Sequence, residues 1–130
     1  PEDYDDIDAL ERAIGQAVPS ARFRPYLQLH EFEAFLFIDV DITAAAARQQ
    51  SAGKALRTHA DVFDGVEQIN NDPETAPSKR VAKALTAYSK PLLAATVTSR
   101  LGIERIRAAA PRFARWLNWL ESLATVRPAG

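Results

Sequence analysis

Apolar residues recur at helical spacing along most of the chain. Ile7, Leu10, Ala13 or Ile14, and Ala17 form one stripe and predict a helix over 4–18. Asp3 or Asp5 is its cap and Pro19-Ser20 its stop, and acids in the first turn suit the helix dipole. Arg24 to Leu29 breaks the pattern. Tyr26, Leu27 and Leu29 favour extended backbone, and Pro25 sits where a missing N–H is tolerated, so this segment reads as a short strand. Phe32, Phe35, Leu36 and Phe37 then crowd a short window and predict a helix over 30–37, with one long strand over 26–38 as the alternative.

An alanine-rich helix begins at Asp41 or Thr43 and runs to about residue 50, where Ser51-Ala52-Gly53 breaks it. Val62, Phe63, Val66 and Ile69 mark another, stopped by Asn70-Asn71-Asp72-Pro73. Pro77 stands at a first helical position behind Thr75, and Val81, Leu85 and Tyr88 share a face of the helix that follows. Lys90-Pro91 interrupts it. Further helices are predicted over 91–101, 103–110 and 111–124, the last carrying Phe113, Trp116, Leu117, Leu120 and Ala124 on one stripe. The sum is a single helical domain over 1–126 with a frayed tail at 127–130. The lone strand needs a partner for its backbone groups, and a missing N-terminal part or a second copy of the chain would supply one.

Composition narrows the class. The chain has 130 residues, 47% apolar and 25% charged, which is ordinary for a folded domain with a core. It has no cysteine, which excludes a disulfide framework and cysteine-bound zinc and fits a cytoplasmic protein. No apolar run approaches the roughly 20 residues of a membrane span. The chain opens at Pro1 and contains no methionine, so the expectation is a fragment whose N-terminal part lies upstream. The net charge of −1 conceals a segregation. Glu2, Asp3, Asp5, Asp6, Asp8 and Glu11 open the chain, whereas Lys79, Arg80, Lys83 and Lys90 follow one another without an acid between them. Arg100, Arg105, Arg107, Arg112 and Arg115 make the C-terminal part basic as well.

Two constellations could carry chemistry. His30-Glu31-Phe32-Glu33 places two carboxylates and an imidazole at a strand end, a donor set for a divalent cation. On a helix His30 and Glu33 share a face; on a strand Glu31 and Glu33 do. The plainer reading is that these acids sit in a first helical turn because the dipole favours them there. The second constellation runs from Asp72 to Arg80. Two prolines stiffen the loop, and Ser78, Lys79 and Arg80 fall in a first helical turn, where cations oppose the dipole. With Lys83, they suit a phosphate, and Lys79, Lys83 and Lys90 line one face of this helix; the plainer reading is a solvated basic face. A third group, the C-terminal arginines with Trp116 and Trp119, could bind nucleic acid, although tryptophans more often fill a core.

Three blocks carry a family resemblance. They are Pro25-Tyr26-Leu27-Gln28-Leu29-His30-Glu31-Phe32-Glu33-Ala34-Phe35-Leu36-Phe37, then Ile69-Asn70-Asn71-Asp72-Pro73-Glu74-Thr75-Ala76-Pro77-Ser78-Lys79-Arg80, and last Gly102-Ile103-Glu104-Arg105-Ile106-Arg107 with Pro111-Arg112-Phe113 and Trp116-Leu117. In this order they resemble the C-terminal part of the bacterial domain-of-unknown-function family 4276, also called RloG-like. Two departures are Asn70-Asn71-Asp72 in place of Asn-Asp-Gly and Pro111-Arg112-Phe113 in place of Pro-His-Phe.

The resemblance implies a mainly α fold with one or two short β-strands, the C-terminal part of an α/β Toprim-like protein. It implies a metal-dependent nuclease of bacterial defence or restriction, with Glu31, Glu33 and His30 on magnesium or manganese. Glu31 and Lys79 would be catalytic, and Ser78, Lys79, Arg80 and Lys83 would hold phosphate. The Toprim glutamate and Asp-x-Asp would lie upstream. The alternative is a non-catalytic helical module that docks an ATPase or nucleic acid through a basic face. No membrane is expected, and self-association would use the exposed strand.

Overall fold

Short-range chemistry sets most helix ends. The computed structural model describes residues 6–29, 31–69 and 72–125, and among these every regular element is helical. Helix α1 spans Ile7–Ala17, and Asp6 caps it by accepting the Ala9 N–H at 2.8 Å. Helix α2 spans Val40–Ala46. Its cap is Asp39, whose carboxylate accepts from Asp41 N at 3.1 Å and Ile42 N at 3.0 Å, so α2 begins just before the Asp41 or Thr43 start read from sequence. Thr43 is instead buried and donates to the Leu36 carbonyl at 2.6 Å. Helix α3, Gly53–Ala60, begins where a break was expected. Residues 62–69, expected to be helical, form turns and one short 3-10 segment, Val66–Gln68.

Helix α4, Pro77–Ala84, starts on its proline, and α5, Lys90–Leu101, carries Pro91 in its first turn. Leu85 to Ser89 therefore form a connector, and Lys90 belongs to α5, not to the α4 face shared by Lys79 and Lys83. Gly102, at φ +77°, separates α5 from α6, Ile103–Ala109, a backbone that side chains with a Cβ rarely adopt. Helix α7 spans Pro111–Thr125.

The chain forms two compact units, residues 1–29 with 112–130, and residues 30–111. The second has the apolar core. Its centre is the 3-10 segment Phe32–Phe37, in which Ala34, Phe35, Leu36 and Phe37 are all buried. Four consecutive buried residues leave no polar face for an amphipathic helix, and the tighter 3-10 winding lies enclosed between α2, α4 and α5. Leu36, Leu56, Ile69, Val81, Val97, Thr43 and Pro77 are the unit's largest fully buried side chains.

No described residue of the first unit is buried. Its contacts are polar and aromatic, and they explain why the strand expected over Arg24–Leu29 does not form. Glu11 Oε1 accepts the Leu27 N–H at 2.7 Å, an Arg112 nitrogen donates to the Leu27 carbonyl at 3.1 Å, and Trp116 Nε1 donates to the Arg24 carbonyl at 3.2 Å. Side chains thus satisfy an extended backbone that a β-ladder would otherwise have to satisfy. The expected fold with short strands, part of an α/β Toprim-like architecture, is corrected to an all-helical one among the described residues. Self-association through a strand edge at 24–29 loses its basis with it. His30, Asn70, Asn71 and the tail at 127–130 lie outside the described residues.

Candidate functional site

The two constellations, 47 residues apart in sequence, meet in the second unit. Glu31 precedes the 3-10 segment, and its Oε2 accepts the Ser78 N–H at 2.8 Å in the first turn of α4. The helix has no cap from its own neighbour Ala76, so Glu31 serves as a cap from a remote segment. A hydrogen bond from the Ser78 side chain is the main cause that holds the Glu31 carboxyl below its ordinary pKa. Partial burial opposes the shift; the Ser78 N–H and the charges of Lys90 and Lys79 add to it. This carboxylate also answers the electrostatic conflict of two cations at a helix N-terminus. The compensating anion comes from the other constellation.

The remaining expected residues have distinct surroundings. Glu33 pairs with Lys90 at 3.4 Å. Lys79 is exposed. Arg80 turns inward, donating from Nε to the Thr75 carbonyl at 2.6 Å and lying 5.4 Å over the Phe63 ring. Lys83 reaches the Glu74 carbonyl at 3.4 Å. His59 of α3 lies in the field of this group. Burial first, then Arg80 and Lys83, lowers its pKa below the usual imidazole value.

Two members of the expected donor set already have other partners, and the third, His30, lies outside the described residues. Glu31 is engaged with Ser78 and Glu33 with Lys90. Among the described residues no group of three or more His, Cys, Asp or Glu could hold a metal ion.

Sequence reasoning missed a cavity of about 210 Å³ beside Glu33, lined by Phe32, Leu36, Tyr88, Lys90 and Pro91. Tyr88 belongs to the connector before α5. Gln49 positions this connector, accepting the Thr86 N–H at 2.9 Å and donating to the Thr86 carbonyl at 2.5 Å. The Tyr88 hydroxyl is buried without a hydrogen-bond partner among the described residues, and burial raises its pKa. Only the breaker Lys90-Pro91 hinted at this, because it places a chain reversal next to Tyr88. An orphaned hydroxyl costs stability, so Tyr88→Phe is expected to raise unfolding free energy in urea by about 0.5–1 kcal/mol. A loss of that size would mean that the hydroxyl has a partner in solution.

A match to the family described as Domain of unknown function (DUF4276) covers residues 2–121. Neither a curated protein nor a solved structure matches the chain. No helix among the described residues is long and apolar enough to cross a membrane.

Proposed function

From the chain's membership of the DUF4276 family, which by its description assigns no activity, we propose a non-catalytic helical module that binds nucleic-acid phosphates through the basic face of α3 and α4. The observation that carries this reading is the net positive field around Lys83. Its Nζ has a neutral carbonyl as partner, Arg80 lies beside Phe63 and a second carbonyl, and both cations depress the His59 imidazole. Lys79 extends the face at the exposed side of α4. Exposed lysines such as Lys79 and Lys83 retain their attraction for a polyanion.

The metal-dependent nuclease reading would need Glu31 and Glu33 to leave Ser78 and Lys90 before they could ligate magnesium or manganese. Nothing in their geometry favours that exchange, so the reading is kept only as the rival in the test of Glu31 below.

Fluorescence anisotropy with a labelled single-stranded oligonucleotide tests the binding reading. Affinity is expected to fall steeply with salt, and Lys83→Ala is expected to weaken binding and reduce the log–log salt slope by about 0.7. Lys79→Ala is expected to act in the same direction. Binding that is absent at low salt, or unchanged in the Lys79→Ala/Lys83→Ala double variant, would overturn the reading. The second of these outcomes would direct attention to docking on a protein partner such as an ATPase.

A further inference from the structure

The first unit holds a second cavity, of about 180 Å³, and its chemistry is the opposite of the apolar one beside Tyr88. Three arginines line it: Arg24, Arg112 and Arg115. Arg112 is neutralised locally, because its Nη2 lies 2.9 Å from Glu11 and 3.5 Å from Asp8. Arg24 and Arg115 have no ion-pair partner among the described residues. The two carboxylates that line the same space, Asp8 and Glu11, both face Arg112, so the three arginines leave it with an excess of positive charge. Tyr26 and Trp116 form one wall, stacked with ring centroids 5.4 Å apart, and the Trp116 Nε1 hydrogen bond to the Arg24 carbonyl fixes the backbone that presents Arg24. Guanidinium groups beside an aromatic wall suit a tetrahedral oxyanion, to which each can offer charge-assisted hydrogen bonds. The cavity is too small for a whole nucleotide and is of a size for one phosphate group.

We propose that this cavity binds a phosphate group between Arg24 and Arg115. The group could be inorganic phosphate or the phosphate of a nucleotide whose base lies outside, against the aromatic wall. The inference stands on the first unit alone and does not depend on the α4 face.

Titration calorimetry on the full chain, run in parallel with inorganic phosphate and with adenosine monophosphate, tests it. The expected result is a dissociation constant below about 1 mM for at least one of them. Arg24→Ala and Arg115→Ala should each weaken it about tenfold or more. Tighter binding of the nucleotide than of phosphate, with a change in tryptophan fluorescence, would identify a nucleotide as the source; equal binding would identify the phosphate group alone. Arg105→Ala, which removes a cation of the other unit paired with Asp39, should leave the affinity unchanged. Neither arginine should be needed for folding, since neither side chain has a hydrogen-bond or ion-pair partner to lose among the described residues. The thermal midpoint should rise with phosphate in the wild type and not in the double variant. No heat from either ligand, or an equal phosphate-induced rise in the double variant, would overturn the proposal.

Discussion

Arg112→Ala is expected to lower the unfolding free energy of the first unit by about 2 kcal/mol. The number follows from what the guanidinium does. One nitrogen donates to the Leu27 carbonyl at 3.1 Å, the other meets Glu11 at 2.9 Å, and the cation lies 5.8 Å over the Tyr26 ring. The side chains of the pair are 24% and 21% exposed, so solvent screens it less than a surface pair, yet it falls short of the roughly 3–5 kcal/mol of a fully buried one. Asp8, at 3.5 Å and 70% exposed, adds little. Truncation would leave the Glu11 carboxylate without its cation and the Leu27 carbonyl without this donor. With no described residue of this unit buried to compensate, the loss falls on a structure whose described contacts are mainly of this kind. Both tryptophans of the chain, Trp116 and Trp119, lie in α7, so fluorescence during urea denaturation reports this unit. Arg112→Lys is expected to recover less than half of the loss, because an ammonium cannot reproduce the fork that joins carbonyl and carboxylate. A change below about 0.5 kcal/mol for Arg112→Ala would show the network to be a surface arrangement of no energetic weight.

The same residue shows what sequence can and cannot convey. Arg112 reads as one of five C-terminal arginines on a solvated surface, and nothing local distinguishes it from Arg100. Its partner Glu11 is 101 positions away, and only the fold brings the two together. The strand expected over Arg24–Leu29 fails for the same reason. Its residues have the right local preference, but the groups that satisfy its backbone come from α1 and α7. Signals within one or two turns did translate into structure. Pro77 and Pro111 open helices and the breaks near Pro19 and Gly102 stand where the pattern places them, whereas the break expected at Lys90-Pro91 falls earlier, over Leu85 to Ser89. The helix expected over 62–69 and the unexpected α3 mark the intermediate case, in which burial of Leu56 against the core outweighed a Gly53 that suggested a break. In the candidate site, both constellations were legible as groups of residues. Their meeting was not, because a carboxylate that caps a helix from 47 residues away leaves no mark in the sequence around either end.

That meeting gives the second large effect. Glu31→Ala removes the acceptor of a Ser78 N–H that belongs to a buried residue, and α4 has no side-chain cap of its own. Because Glu31 itself is exposed, water screens the carboxylate, and the expected loss is about 1.5 kcal/mol in urea denaturation followed by far-ultraviolet circular dichroism. The pH dependence has a definite sign. The folded carboxyl titrates below its ordinary value near 4.5, so its contribution is fully present above that value and is lost as pH falls through the lower folded one. Wild type and Glu31→Ala should therefore differ most near neutral pH and converge in acid. Glu31→Gln separates the cap from a metal ligand. Its amide oxygen can still accept from Ser78, so it should retain much of the stability while losing the charge. If the α4 face binds phosphate, removing that negative charge beside Lys79 should strengthen oligonucleotide binding in both variants. A ligand of magnesium or manganese predicts the reverse, a protein whose wild-type form gains thermal stability with manganese and whose Glu31→Gln form does not. Convergence of the melts in acid with stronger oligonucleotide binding would assign Glu31 to the helix, and loss of a manganese-dependent rise in Glu31→Gln would assign it to a metal and sink the binding reading of this face.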